Sequence, residues 1–292
     1  MDNFEKYIIR QTANLKKQTI YYFLKEQKIS EHYIKVLRNS SGTIILNGNI
    51  TSINHPIEEN DVLEISKSPQ KGSEIPECDG TLEIIYEDDD YIAVNKPHNL
   101  ACIPTRKHLQ NNLGGQVVKY MKNKDKNFVL RITNRLDRET AGIVVIAKNI
   151  DAFNKMNADK TYYAICEGNL DLSPFTIDKK IETISHNGIN QMKRVISENG
   201  KTAVTHIFPV KNIDKNCLVK FKLETGRTHQ IRVHMSSINH PLVGDTIYND
   251  NDKSHAYLLL KELSFTHFRS GKEIKLQVDF PSEWNLIDNY LT

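Results

Sequence analysis

From residue 16 to residue 67 the apolar positions follow first a helical rhythm and then a strand rhythm. Ile20, Phe23 and Leu24 recur at helical spacing, and Tyr33, Ile34 and Leu37 repeat the pattern behind the helix-start pair Ser30-Glu31. Two short amphipathic helices are predicted, the second carrying Lys35 and Arg38. Thr43-Ile44-Ile45-Leu46 then runs into the turn signal Asn47-Gly48, and Asp61-Val62-Leu63-Glu64-Ile65 alternates, which predicts a small sheet. Between 66 and 80 no apolar period survives, and Ser68-Pro69-Gln70-Lys71-Gly72-Ser73 has the composition of a linker. The pattern therefore divides the chain into an N-terminal module over 1–70, a linker over 71–80 and a larger domain over 81–292.

The larger domain opens with two apolar pieces, 82–86 and 91–95, parted by the acidic turn Glu87-Asp88-Asp89-Asp90, a predicted hairpin. Helices are expected over 113–121 and 152–156, and strands over 160–165, 200–205 and 218–223. Ile143-Val144-Val145-Ile146-Ala147 is rich in β-branched residues and reads as a strand covered on both faces. The polar stretch before it, from Asn134 to Gly142, is then a loop held by the sheet. Asp137 stands in that loop with Arg135 two residues before it and Arg138 one after. Neighbouring positive charge favours the ionised carboxylate, which is the state a nucleophile or proton acceptor needs. An ordinary surface ion-pair loop has the same residue content.

Composition narrows the picture by exclusion. The 292 residues carry 39 basic against 36 acidic side chains, a net charge of +3, so any phosphate-binding surface must come from local clustering. The four cysteines are far apart with no Cys-x-x-Cys pair, which disfavours a zinc site or a disulfide framework and fits a reducing cytosol. The start lacks the apolar core of a signal peptide and no run approaches the length of a membrane span, so a soluble cytoplasmic protein is expected. No Walker or dinucleotide glycine pattern occurs, and His229, His234, His240 and Asp245 do not have metal-ligand spacing. Neither metal nor cofactor is expected.

Asn134-Arg135-Leu136-Asp137, continuing through Thr140 and Gly142 to Ala147-Lys148, resembles the signature of the RluA-type RNA pseudouridine synthases. That signature is commonly His-Arg-Leu-Asp, then Thr-Ser-Gly and an aliphatic strand ending in Ala-Lys; here Asn134 replaces the His and Ala141 the Ser. Lys96-Pro97 with Pro104-Thr105 resembles the family's opening motif, with Asn99 in place of glycine. The block from Thr225 to Met235, then His240-Pro241-Leu242-Val243-Gly244-Asp245 and Tyr248, matches the third motif. Leu263 to His267 keeps the closing pattern, but Leu258-Leu259-Leu260 stands where Leu-His-Ala is usual, so His255 has no assured equivalent. The N-terminal order resembles the S-four-type RNA-binding module, with Asn60-Asp61 for its Gly-Asp. The resemblance covers roughly 81–283 densely and 16–67 loosely.

The resemblance implies an α+β fold: a mixed, largely antiparallel sheet with a central cleft, preceded by a small α/β module. It implies Asp137, Tyr162 and Arg232 as catalytic residues, with Arg232 pairing with Asp137 and Tyr162 stacking on the target base. A strand tyrosine with its ring in the core is the plain alternative for Tyr162. Arg135 would enter the space left by an extruded uridine, and Arg138, Arg227, His229, Gln230, Lys35 and Arg38 would bind RNA. The implied protein is a monomer that isomerises uridine in large-subunit ribosomal RNA, or alternatively in transfer RNA. From other classes come a catalytically silent RNA-binding protein and a glycoside hydrolase pairing Asp137 with Glu139.

Overall fold

A computed structural model describes residues 4–8, 18–27, 29, 34, 37, 43–66, 75–104, 110–186, 189–249 and 255–284. The chain falls into two compact units, Met1–Lys71 and Gly72–Thr292. In the smaller unit strand β1 (Phe4–Ile8), helix α1 (Ile20–Glu26) and strands β2 (Thr43–Leu46), β3 (Asn49–Ile50) and β4 (Val62–Ser66) are described, and the strands form an antiparallel sheet of order β1-β4-β2-β3. Ile20, Phe23 and Leu24 of α1 are buried in one core with Ile44, Leu46, Leu63 and Ile65, the inward set of each strand. Asn47 and Gly48 turn β2 into β3 with φ of 51° and 82°, the left-handed pair of a tight hairpin. Asn60 has φ 72°, so asparagine adopts the left-handed backbone for which the resembling module uses glycine. Ile34 and Leu37 are helical and buried; Lys35 and Arg38 lie outside the described residues. Strand β1 has no period-two signal in its own sequence. It is a strand because β4 pairs with it from Phe4↔Ser66 to Ile8↔Val62.

The larger unit starts with the expected hairpin, β5 (Glu83–Glu87) and β6 (Tyr91–Lys96). Helix α2 (Leu113–Lys122) follows, capped by Asn112, whose side chain accepts the Gly115 N–H at 2.8 Å. Then come β7 (Ala141–Ala147), α3 (Ile150–Lys155), β8 (Ala158–Glu167), β9 (Phe175–Asp178) and the hairpin β10 (Ile181–His186) with β11 (Ile189–Ile196). The unit continues with β12 (Val204–Ile213), β13 (Asn216–Leu223), α4 (Gln230–Ser236), β14 (Leu258–Thr266) and β15 (Glu273–Gln277). Nine strands make one sheet in the order β5-β6-β7-β14-β8-β13-β12-β9, with β15 alongside β14. Its described pairings are antiparallel except that of β7 with β14. This is the mixed α+β architecture expected from the sequence. Among the described residues no helix is long and apolar enough to cross a membrane.

The linker expected over 71–80 is overturned at its C-terminal end. Cys78 is buried, Ile75 packs against the larger core, and Asn112 Nδ2 donates to Cys78 Sγ at 3.3 Å. A Cβ on Gly115 would stand 2.4 Å from Cys78 Sγ, so glycine in the first turn of α2 lets the incoming chain cross it.

All seven residues of β7 are buried, which fixes the base of the Asp137 loop. Gly142, at its start, has φ 115°, and a Cβ there would lie 2.3 Å from the Leu260 carbonyl oxygen of β14. Gly142→Ala therefore meets both backbone strain and a clash with main chain. It is expected to destabilise the larger unit by about 2–4 kcal/mol, read as a lower urea midpoint, and an unchanged midpoint would contradict this packing.

Candidate active site

The loop from Asn134 to Thr140 is pinned at alternate residues, Asn134, Leu136 and Arg138. Asn134, in the place of the expected histidine, acts as a strand partner: its Nδ2 donates to Ile143 O and its Oδ1 accepts from Val145 N, each at 2.9 Å. Leu136 is buried, and its N–H and carbonyl both meet Cys102 Sγ, at 3.3 and 3.2 Å. The Arg138 carbonyl accepts from Lys96 Nζ at 3.1 Å. Lys96 is fully buried and gives its other two described hydrogen bonds to Pro97 O and Leu100 O. Burial brings its pKa down to about 8, a fall that the nearby Cys102 and Asp137 oppose. The sequence marked Lys96 only as part of a motif. Asn99, where the resembling motif has glycine, has φ 61°, the same left-handed solution as Asn60.

With its neighbours so held, Asp137 faces a cavity of ≈ 560 Å³. It is the one carboxylate among the described residues lining that cavity, against Arg135, Arg138, Lys160, Arg227 and Arg232. Arg135 and Arg227 are exposed, and Arg138 is half-exposed, with a loose 3.8 Å approach to Glu139. Arg227 Nε donates to Thr202 O at 2.9 Å, whereas Arg135 has no hydrogen-bonding or ionic partner among the described residues.

Two site expectations are corrected. Arg232, on α4, is buried and does not pair with Asp137. Its Nε and Nη2 grip the two oxygens of Asp245 at 2.7 and 2.6 Å, and Nη2 also reaches Glu139 Oε2 at 2.9 Å. The carboxylates behind the loop are therefore nearer claimants for the guanidinium than the one in the cleft. Burial alone would lower the Arg232 pKa, but the Asp245 hydrogen bonds and charge outweigh it and raise it; the same pair holds Asp245 below the usual carboxylate range against its own burial. Gln230, expected at RNA, is buried with its amide fully used. Its oxygen accepts from Thr225 Oγ1 and Arg227 N, and its nitrogen donates to Val204 O and Thr205 Oγ1. It braces the turn into α4.

Glu139 is tied down as firmly as Arg232. Besides Arg232 it accepts from Thr246 Oγ1 at 2.8 Å, so it cannot serve as the second carboxylate of a glycoside hydrolase. Tyr162, on β8, is partly buried and lines the cavity. Burial, with a smaller contribution from Asp137, raises its phenol well above the ordinary value, so the hydroxyl stays protonated. His229 caps α4 with φ 58°, its Nδ1 3.0 Å from Tyr248 Oη and its Nε2 3.9 Å from Asp137 Oδ2.

One metal-like cluster stands among the described residues, His98 with His255 and Glu283. Two imidazoles bound at about 2.0–2.1 Å to one tetrahedral ion place their ring centroids roughly 5 Å apart. The His98 and His255 rings are stacked at 4.1 Å, too close to converge on an ion. His234, another histidine of the third motif, is held between Thr205 Oγ1 and Lys179 O.

A family model described as RNA pseudouridylate synthase matches residues 90–237. An uncharacterized RNA pseudouridine synthase of Bacillus subtilis is 27% identical over 275 residues, spanning 91% of this chain and 96% of its own. The ribosomal large subunit pseudouridine synthase D of Zymomonas mobilis is 33% identical, covering 70% of this chain and 71% of its own. The ribosomal large subunit pseudouridine synthase C of Rickettsia felis is 34% identical, covering 68% and 67%. Among solved structures, human RNA pseudouridylate synthase domain containing 1 superposes with a TM-score of 0.55 at 24% identity, over 68% of this chain and 83% of that one, a likeness of fold.

Proposed function

Because the chain belongs to the RNA pseudouridylate synthase family and isomerises uridine in RNA, we propose that its target lies in large-subunit ribosomal RNA and that Asp137 carries the chemistry. The observation that carries the second part is that Asp137 is the one described carboxylate in a cation-lined cavity while Glu139 and Asp245 are tied to Arg232. The target assignment rests on the large-subunit names of relatives 33–34% identical. The resemblance of the smaller unit to an S-four-type RNA-binding module agrees with it, and Lys35 and Arg38 would contact RNA from there.

Pseudouridine formation breaks the N1–C1′ bond, turns the uracil and joins C5 to C1′, with the C5 proton lost and N1 gaining one. An ionised carboxylate can attack the sugar or base or take a sugar proton. No external oxidant or acceptor is consumed, so the step needs no cofactor. Tyr162, protonated and beside the cavity, offers the base a flat face to stack on rather than a phenolate. Arg227 and Arg138, exposed on the lining of the cavity, would contact the phosphates of a bound strand. Mapping pseudouridines in total RNA with and without the gene tests the target; loss of a site in transfer RNA alone would overturn it.

Arg135, exposed and without a hydrogen-bonding or ionic partner among the described residues, is suited to replace an extruded base: flat, charged and rich in donors. Taking a base from a stack costs a few kcal/mol. Arg135→Ala is expected to slow modification of a stable stem-loop about tenfold more than that of an unstructured oligonucleotide with the same uridine. Equal losses on both would assign Arg135 to the loop instead.

A further inference from the structure

We propose that His229 is a positioning residue for Asp137: Tyr248 sets the tautomer of its imidazole, and its Nε2–H orients the Asp137 carboxylate. The proposal rests on the reading of Asp137 as the reacting group. It begins with the hydrogen-bond partners of Tyr248. The Tyr248 oxygen accepts the Arg194 backbone N–H at 3.1 Å. Its own proton has one acceptor within reach among the described residues, His229 Nδ1 at 3.0 Å. Burial raises the Tyr248 pKa, so that proton stays on the phenol. A ring whose Nδ1 accepts carries its proton on Nε2, and Nε2 is the atom that faces Asp137 Oδ2.

Two further observations agree. His229 holds φ 58°, a left-handed backbone that an L side chain enters at a penalty and that clusters at functional sites; here it turns the ring out of the start of α4 into the cavity. Second, burial keeps the His229 pKa below its ordinary value, with Arg232 and Arg194 acting in the same direction and Asp137 and Asp245 opposing them. The imidazole is therefore neutral near pH 7 and has a single proton to give. The 3.9 Å gap to Asp137 is wide for a hydrogen bond. A shift of about 1 Å on substrate binding closes it, the tightening common when a site fills.

Removing a donor that engages the carboxylate as the site fills should cost turnover rather than binding. The assay is tritium release from large-subunit ribosomal RNA that carries uridine tritiated at C5 and is isolated from cells lacking the gene. His229→Leu should lower kcat on the order of 10–100-fold with KM little changed. His229→Gln, which keeps a side-chain N–H, should restore most of that kcat. An unchanged kcat in a folded His229→Leu variant, or a loss that His229→Gln does not recover, overturns the proposal. If the wild-type enzyme released no tritium from this RNA, the target assignment would fall instead. The proposal would still be judged by long-range 1H–15N NMR of the free protein: the Nε2–H tautomer in wild type and a loss of that preference in Tyr248→Phe are required, and an Nδ1–H tautomer in wild type overturns it.

Discussion

Replacing Asp137 by asparagine is expected to lower turnover by at least about three orders of magnitude while leaving RNA affinity within a few fold. The amide keeps the shape and loses the charge, so nothing that Leu136, Arg138 or Glu139 does to hold the loop is disturbed. A carboxylate in a cavity lined by Arg135, Arg138, Lys160 and Arg227 repels phosphate, so binding has no reason to weaken and could tighten slightly. Single-turnover conversion and filter binding on the same RNA separate the two quantities. Turnover near the original rate would remove Asp137 from the chemistry.

Arg232→Met should have the largest effect on stability. Arg232 is 2% exposed and bridges Glu139 and Asp245, which are 6% and 0% exposed. Removing the guanidinium leaves two buried carboxylates uncompensated, a loss of about 3–5 kcal/mol. For a unit of this size that is roughly 6–20 °C in Tm. The pH dependence has a definite sign. Arg232 holds the folded Asp245 pKa below its unfolded value, so the stabilisation is present above the unfolded pKa and fades as pH falls through the folded one. Without Arg232 the buried Asp245 protonates more readily, so the gap between variant and wild type should be widest near neutrality and narrow towards pH 4. Adding Asp245→Asn to Arg232→Met should recover part of the loss, since the pair does not act additively. A constant gap from pH 4 to 8 would show that the triad is not what the substitution breaks.

The sequence spoke clearly wherever a property was local. The apolar run at 143–147, the hairpin over 82–95 and the α1 stripe of Ile20, Phe23 and Leu24 each carry their own period, and each is found in the fold. So does the third motif, whose match to the family placed Arg232 near the site. What that match could not convey is which carboxylate the guanidinium meets. Asp137, Glu139 and Asp245 all come close in space, and only tertiary geometry assigns Arg232 to the latter two. Gln230 misled for the same reason: a glutamine beside histidine and arginine looks like a ligand-binding group until its four hydrogen bonds are traced. Asn60 and Asn99 replaced glycines in motifs without breaking them, because both positions ask for positive φ and asparagine tolerates it. The buried end of the linker and strand β1 were hidden because each owes its order to a distant partner, Asn112 in one case and β4 in the other.

The parallel contact between β7 and β14 bears on how an active enzyme comes into being. On one side of β14 lie β5, β6 and β7 with the Asp137 loop; on the other lie β8, β13, β12 and β9, with Tyr162 on β8. The two halves of the cleft are encoded early and in the middle of the chain, yet the strand that joins them, Leu258–Thr266, is made late. Closing a loop of more than a hundred residues is entropically slow compared with forming the local hairpins on either side. A chain still on its ribosome, short of β14, carries Asp137 and Tyr162 without the strand that joins their two halves of the sheet.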